Sequence, residues 1–106
     1  LYTASDPAVI RLIHMAVSIA NAPKKPISMC GQMCGNPLYT MLLLGLGLRS
    51  LSLTPSAIPE VKRVCRSVTI PQCEEHASRV LQLDNSRDVR NALREELIKL
   101  LPDQPV

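Results

Sequence analysis

The sequence predicts an α/β fold that is mostly helical by content, with two parallel strands belonging to a larger barrel. Strands and helices alternate along the first half of the chain, and helices alone follow. This alternation is typical of parallel strands joined by right-handed crossovers. Each strand carries large apolar residues on one face and small or polar residues on the other. A barrel with an inward-facing ligand site has this pattern, and because two strands cannot close a barrel, a fragment of one is predicted.

The first helix and strand have clear boundaries. Asp6 before a proline predicts an N-cap, and apolar residues at helical spacing continue from there to Asn21. The short run 27–30, ISMC, lies between Pro and Gly and predicts a buried strand. Residues 31–35 are predicted as a loop.

The same kinds of signal mark the next helix and the next strand. Asn36 precedes a proline and starts a helix predicted to run to about Leu46, closed by Gly45 and Gly47. A second strand is predicted over 50–54, SLSLT, where serine and threonine alternate with leucine. The carboxyl end of each strand would carry a small polar side chain.

Three helices are predicted in the second half. The first follows Pro55 and runs to about Val68, and the second is opened by the capping box that Thr69 and Gln72 form. The third is capped at 84–86 and ends before Pro102, with Glu95 and Lys99 spaced for an ion pair. Its predicted apolar face consists of Val89, Ala92, Leu93, Leu97, Ile98 and Leu101.

Composition argues against several classes of protein. The 106 residues are 46% hydrophobic, too apolar for a disordered chain. The net charge of +3 comes from scattered basic residues, and with two Tyr and no Phe or Trp few rings could stack on bases, which argues against nucleic-acid binding. The longest apolar run, 41–48, is far below the ~20 residues that a membrane span needs, so no membrane insertion is expected.

Three features suggest a segment of a longer cytoplasmic protein. The chain begins at Leu1 without an initiator Met or a signal-peptide pattern. With almost no aromatic rings, the core must consist of Leu, Ile, Val and Met, so we expect the rest of the core to lie elsewhere. The four cysteines accompany no glycine-rich, loop-dominated framework, so we expect reduced thiols.

Cys30 is the strongest candidate for chemistry. It ends the first predicted strand beside Gly31, which would let a ligand approach the backbone. An ordinary thiol has a pKa of about 8.5, so it is mostly protonated at neutral pH and could act as a general acid. From spacing alone, a small buried residue filling a strand remains the simpler interpretation.

Several motifs in fixed order resemble the phosphoenolpyruvate-utilising enzymes, and most closely their phosphoenolpyruvate–protein phosphotransferase branch in the sugar phosphotransferase system. They are ISMCGQMCGNP at 27–37, LLLGLGL at 42–48 and LSLTPSAIPEVK at 51–62. DPAVIRLI at 6–13 resembles the helix that precedes the first of these motifs. The similarity extends over about residues 1–68 without a gap, and such an ordered set is far more specific than one short pattern.

The resemblance implies a phosphoenolpyruvate-binding (βα)8 TIM barrel. Residues 1–68 would supply its last two strands and the surrounding helices, and 69–106 a helical extension. By the same resemblance, Cys30 protonates the enolpyruvate while phosphate passes to a histidine and on to a histidine phosphocarrier protein, and Gly31 and Gln32 contact substrate. Mg²⁺ would be held by ligands outside this chain, the parent would be a homodimer, and the fragment alone would be inactive.

Two positions depart from the usual pattern of the branch. Gln32 stands where Glu is usual, and Cys34 where a smaller residue is usual. Gln at the first position also occurs in pyruvate phosphate dikinase and phosphoenolpyruvate synthase, which remain alternatives. A non-catalytic helical dimerisation module is the other.

The remaining chemical candidates rank lower. Cys30 and Cys34 lack a third close cysteine for an iron–sulphur cluster, and Cys65, Cys73 and His76 lack a standard zinc spacing. Further side chains are assigned structural roles. His14 and His76 are predicted as partly exposed helix residues, Met15, Met33 and Met41 as core, and Arg87, Arg90 and Arg94 as a solvated face.

Overall fold

A computed structural model describes residues 6–21, 28–30 and 32–100, with the backbone alone at some positions, including 28–30. In chain order the elements are α1 (Pro7–Asn21), β1 (Ser28–Cys30), α2 (Gln32–Gly35), α3 (Pro37–Leu46), β2 (Ser50–Ser52), a 3-10 turn (Pro55–Ala57), α4 (Ile58–Ser67), α5 (Ile70–Leu81) and α6 (Ser86–Leu100). The described chain is mostly helical, as predicted. No helix in the described ranges combines the length and the hydrophobicity that crossing a bilayer requires.

The two strands pair in parallel, as the alternation of elements predicts. The register joins Ser28 to Ser50 and Cys30 to Ser52. The second strand is shorter than the predicted 50–54. Since β1 ends opposite Ser52, Leu53 and Thr54 have no described strand residue opposite them, and the chain turns at the proline that follows.

Helix α3 lies at the centre of the fold. It packs against α1, α4, α5 and α6, and its leucines therefore fall on several buried faces at once. At its start the Leu38 amide donates to Asn36 Oδ1 at 3.0 Å. At its end Gly47 has φ 113°, a left-handed conformation that favours glycine. Arg49 Nη1 donates to the Leu44 carbonyl at 2.7 Å, which satisfies one of the last carbonyl groups of the helix.

Gly45 does not close this helix, contrary to prediction. It lies inside α3, where α5 crosses closely. A Cβ added at Gly45 would overlap the carbonyl oxygen of Cys73 and would approach the Cβ of Ala77 to 2.8 Å. The glycine is therefore a site of helix contact, and only Gly47 is a cap.

The predicted loop at 31–35 is also wrong over its described part. Gln32–Gly35 forms one helical turn, α2, which contacts both strands, while Gly31 lies outside the described residues. The turn contains Cys34, whose side chain is fully buried in the core. Burial of that side chain explains why this short connection is compact.

The caps predicted for α1, α5 and α6 are confirmed. The Ala8 amide donates to Asp6 Oδ1 at 2.9 Å. In the capping box of α5, the Thr69 amide donates to Gln72 Oε1 at 2.9 Å and the Gln72 amide donates to Thr69 Oγ1 at 3.4 Å. The Asp88 amide donates to Asn85 Oδ1 at 2.9 Å in the first turn of α6.

Several predictions about side-chain burial need correction. Met41 lies in the core, but Met15 is 60% exposed, and the side chain of Met33 is outside the described residues. On α6, Val89, Leu93 and Leu97 are buried as predicted, whereas Ile98 is 51% exposed and Leu101 is not described. Arg87, Arg90 and Arg94 are exposed, as predicted.

The ion pair predicted between Glu95 and Lys99 is replaced by another pair. Lys99 Nζ lies 3.6 Å from Glu96 Oε1 instead. Glu96 also accepts a hydrogen bond from Arg79 Nη2 at 3.0 Å, which links α6 to α5. Glu96 therefore pairs with cations of two helices, Arg79 of α5 and Lys99 of α6.

Candidate functional site

Cys30 lies where the sequence predicts it, at the carboxyl end of β1. It is the last residue of the strand, and its register partner Ser52 is the last residue of β2. Of the other two predicted site residues, Gln32 begins α2 and Gly31 lies outside the described residues. For Cys30 and Gln32 the structure describes the backbone alone.

A cleft of about 660 Å³ opens beside the carboxyl end of the paired strands. Its walls come from the end of α2, the start of α3, the end of β2 and the 3-10 turn. The described residues that line it are Gly35, Asn36, Pro37, Ser52, Leu53, Thr54 and Ala57. Its size matches pockets that hold small ligands, and small-molecule sites of parallel α/β folds lie at this end of the strands.

Hydroxyl and apolar side chains alternate from β2 into the residues that follow it. Ser52 and Thr54 are exposed and line the cleft, Leu51 is partly buried against the helical core, and Leu53 packs against that core and also lines the cleft. Thr54 Oγ1 lies 3.4 Å from Ser56 Oγ, so a small hydroxyl network follows the strand end. Hydroxyl groups can both donate and accept hydrogen bonds, which suits an oxygen-rich ligand.

The lining of the cleft carries no charged side chain among the described residues. No three His, Cys, Asp or Glu side chains in the described ranges are grouped closely enough to hold a metal ion. The described lining of the cleft therefore offers no carboxylate ligand for Mg²⁺, and the zinc alternative involving Cys65, Cys73 and His76 has no supporting geometry among the described residues. The described lining offers shape and hydroxyl groups but no charged side chain.

The other described cysteines are poor candidates for chemistry. Cys34 and Cys73 are fully buried. Burial, together with the nearby Cys65 thiol, raises the pKa of Cys73. Burial also raises the pKa of Cys65, although that residue as a whole is exposed. A thiol with a raised pKa yields little thiolate at neutral pH, so Cys65 and Cys73 are expected to be unreactive.

His76 is buried, contrary to the predicted partial exposure. It is 1% exposed, and its Nε2 has no hydrogen-bond partner among the described residues. Burial lowers its pKa, Glu96 opposes the shift, and Arg79 and Lys99 add to it. Its position on the inner face of α5, with Cys73, Ala77 and Val80, follows the helical period and could have been found from the sequence.

Comparison with known proteins identifies the family. Residues 1–70 match the sequence model of the phosphoenolpyruvate-binding domain of phosphoenolpyruvate-utilising enzymes. The chain belongs to the phosphoenolpyruvate-utilising enzyme family. The predicted resemblance is thereby confirmed, and the matched region contains β1, β2 and all the described residues that line the cleft.

Three relatives named phosphoenolpyruvate-protein phosphotransferase show how much of the family protein is present. The chain is 32% identical over 98 residues to the protein of Buchnera aphidicola subsp. Schizaphis graminum, which is 92% of this chain and 17% of the relative. It is 39% identical over 88 residues to that of Haloferax volcanii, and the aligned residues are 83% of this chain and 16% of the relative. It is 36% identical over 88 residues to that of Borreliella burgdorferi, and the aligned residues are 83% of this chain and 15% of the relative. The chain thus spans about a sixth of the length of these relatives.

Proposed function

We propose that this chain is the closing part of the phosphoenolpyruvate-binding barrel of a phosphoenolpyruvate–protein phosphotransferase. The complete protein would take a phosphoryl group from phosphoenolpyruvate onto its own histidine and pass it to a histidine phosphocarrier protein in the cytoplasm, as part of sugar uptake. Membership of the family and the shared name of the relatives support this proposal. The observation that carries it is the cleft beside the carboxyl ends of β1 and β2, next to Cys30.

In this proposal β1 and β2 are the last two strands of a (βα)8 barrel. Residues 1–68 would complete the barrel, and 69–106 would form the helical extension. The parallel register supports the assignment, and so do the exposed hydroxyl groups of Ser52 and Thr54 at the cleft. Enzymes with this barrel hold substrate at the carboxyl ends of the strands, which is where the cleft lies.

The proposed role of Cys30 is to protonate C3 of the enolate that forms from phosphoenolpyruvate. When the P–O bond of phosphoenolpyruvate breaks and a P–N bond to histidine forms, the electron pair remains on the enolate of pyruvate. The Cys30 thiol would give its proton to C3 of that enolate, which yields pyruvate and a thiolate that regains a proton from water. A mostly protonated thiol at neutral pH suits this role.

The charged part of the reaction would come from elsewhere in the complete protein. Phosphoryl transfer depends on cations that stabilise the transferring group, and the cleft lining described above has none. We therefore place the arginines, the phosphorylated histidine and the ligands of Mg²⁺ outside this chain.

The test is Cys30→Ala in the complete protein, with both half reactions assayed. We expect pyruvate formation from phosphoenolpyruvate to fall about 10²–10⁴-fold, the usual contribution of a general acid. Exchange of phosphate between the enzyme histidine and the phosphocarrier should persist, because it needs no proton at carbon. Normal pyruvate formation in this variant would overturn the assignment of Cys30.

Assays of the complete protein with and without a nucleotide separate this proposal from the alternatives. Turnover of phosphoenolpyruvate or pyruvate that requires a nucleotide would favour pyruvate phosphate dikinase or phosphoenolpyruvate synthase, which Gln32 suggests. No turnover either with or without a nucleotide would favour the helical dimerisation module.

A further inference from the structure

We propose that Ser52 is a positioning residue for the Cys30 thiol, and that its hydroxyl stabilises the thiolate left after proton transfer. This inference rests on the proposed function, since it concerns the same proton donor. It starts from the backbone register, in which Cys30 and Ser52 are direct partners at the ends of β1 and β2.

Register partners in a parallel pair lie on the same face of the sheet, with neighbouring strands about 4.8 Å apart. Ser52 is exposed and lines the cleft, so its face of the sheet at this register is the cleft face. Cys30 therefore occupies the matching position on that face. At this strand spacing, a serine hydroxyl can meet a sulphur atom across the ladder.

The Ser52 hydroxyl is also available for this contact. It makes no hydrogen bond with another residue in the described part of the chain, whereas the next hydroxyl along the chain, Thr54 Oγ1, lies 3.4 Å from Ser56 Oγ. A hydroxyl donor stabilises a thiolate more than a thiol, and it therefore lowers the pKa of the thiol. The thiol would then release its proton to carbon more readily.

The first test measures the pKa of the Cys30 thiol directly, without an assay of catalysis. The rate of alkylation by iodoacetamide would be measured against pH for the complete protein and read at Cys30 by peptide mass spectrometry. Cys30 and Cys34 fall on the same tryptic peptide, which includes Lys25 because Pro26 blocks cleavage after it. Fragment spectra are therefore needed to tell which of the two thiols is alkylated. Ser52→Ala should move the midpoint upward by roughly 0.5 to 1 pH unit, which is up to about tenfold in thiolate at a given pH.

Two matched comparisons make the result specific. Ser52→Thr and Ser52→Val have the same shape, suit a strand equally and differ only in the hydroxyl, so only the Val variant should show the shift. Ser50→Ala makes the same change two residues earlier on the same strand, where the register partner is Ser28, and should leave the midpoint unchanged. Equal midpoints for the Thr and Val variants, or an equal shift from Ser50→Ala, would overturn the proposal.

The second test separates this inference from the proposed function. In the complete protein, Ser52→Val should slow pyruvate formation several-fold and shift its pH profile in the same direction as the alkylation midpoint, with Ser52→Thr near wild type. If Cys30→Ala forms pyruvate normally, the role of Cys30 as the acid fails whatever the alkylation midpoints show. If Cys30→Ala is inactive but the Thr and Val variants have the same pH profile, only the role of Ser52 fails.

Discussion

At the scale of single residues, His76 shows how burial can change a titratable group. It is buried on α5, with Nε2 unpaired among the described residues and with the ion network of Glu96, Arg79 and Lys99 beside it. A buried imidazole without a partner for its proton is more stable when neutral, which is why its pKa is lowered.

We predict that His76 makes the folded chain less stable in mild acid. Below about pH 6.5 the unfolded chain binds a proton at this residue, while the folded chain, with its lowered pKa, does not, so protonation favours unfolding. Above pH 6.5 the ring is neutral in both the folded and the unfolded chain, and the free energy of unfolding is not reduced by its protonation. As the pH falls from there toward the pKa of His76 in the folded chain, the free energy of unfolding decreases. Urea unfolding between pH 7.5 and pH 5 measures this slope.

The matched variants are His76→Gln and His14→Gln, the second at an exposed position of α1. His76→Gln should be less stable overall, because its amide is also buried, but its slope with pH should be smaller than that of the wild type. His14→Gln should keep the slope. An unchanged slope in His76→Gln would show that other groups cause the acid sensitivity.

At the scale of elements, the close crossing of α3 and α5 depends on Gly45. We predict that Gly45→Ala destabilises the chain by about 1–3 kcal/mol, since the new methyl group meets the backbone of Cys73, which cannot give way as a flexible side chain can. The gain of up to about 1 kcal/mol in helix propensity would not offset this overlap. The free energy of unfolding in urea is the measurement.

Gly35→Ala is the control for this substitution. An added Cβ there would lie 3.5 Å from the Cβ of Ala57, an ordinary contact, and the backbone φ is not in the left-handed region. Its stability should stay within about 0.5 kcal/mol of wild type. Equal effects of the two substitutions would refute the close crossing as the cause.

At the scale of the whole molecule, the most exposed of the large apolar side chains in the described ranges lie on α1. The leucines of 42–48 are too many for one helix face, and four of them are buried by the surrounding helices of this chain. Leu12, Met15 and Ile19 of α1 are instead 65%, 60% and 66% exposed, at helical spacing. Among the described residues, each strand pairs only with the other, so both outer edges of the sheet are open.

We predict that the isolated chain associates with further copies of itself. Exposed apolar stripes and open strand edges both favour association. Sedimentation velocity should show species larger than a monomer, and changing Leu12, Met15 and Ile19 together to Gln should shift the distribution toward monomer. Ile98→Gln removes a single, separate exposed side chain and should change little. A wild-type monomer at high concentration would contradict the prediction.

We also predict that the isolated chain does not turn over phosphoenolpyruvate. The described cleft lacks the cationic groups that phosphoryl transfer needs. Pyruvate release would be measured with Mg²⁺ and a phosphocarrier protein present. Turnover under these conditions would contradict the prediction. The complete protein serves as the positive control.

Much of the local structure could be predicted from the sequence because its signals are local. The caps of α1, α3, α5 and α6, the parallel strands and the end of β1 at Cys30 all follow from short patterns of polar, apolar, proline and glycine residues. The family resemblance was also visible in the sequence, because its motifs stand in fixed order.

Only the tertiary structure decided how those elements are used. Gly45 and Gly47 look alike in sequence, but one meets α5 and the other has a left-handed backbone. Glu96, and not Glu95, pairs with Lys99 and also with Arg79 of another helix. The burial of α3, the exposure of α1 and the meeting of Cys30 with Ser52 likewise depend on residues far apart in the chain, and a local pattern cannot encode which distant element covers a given face.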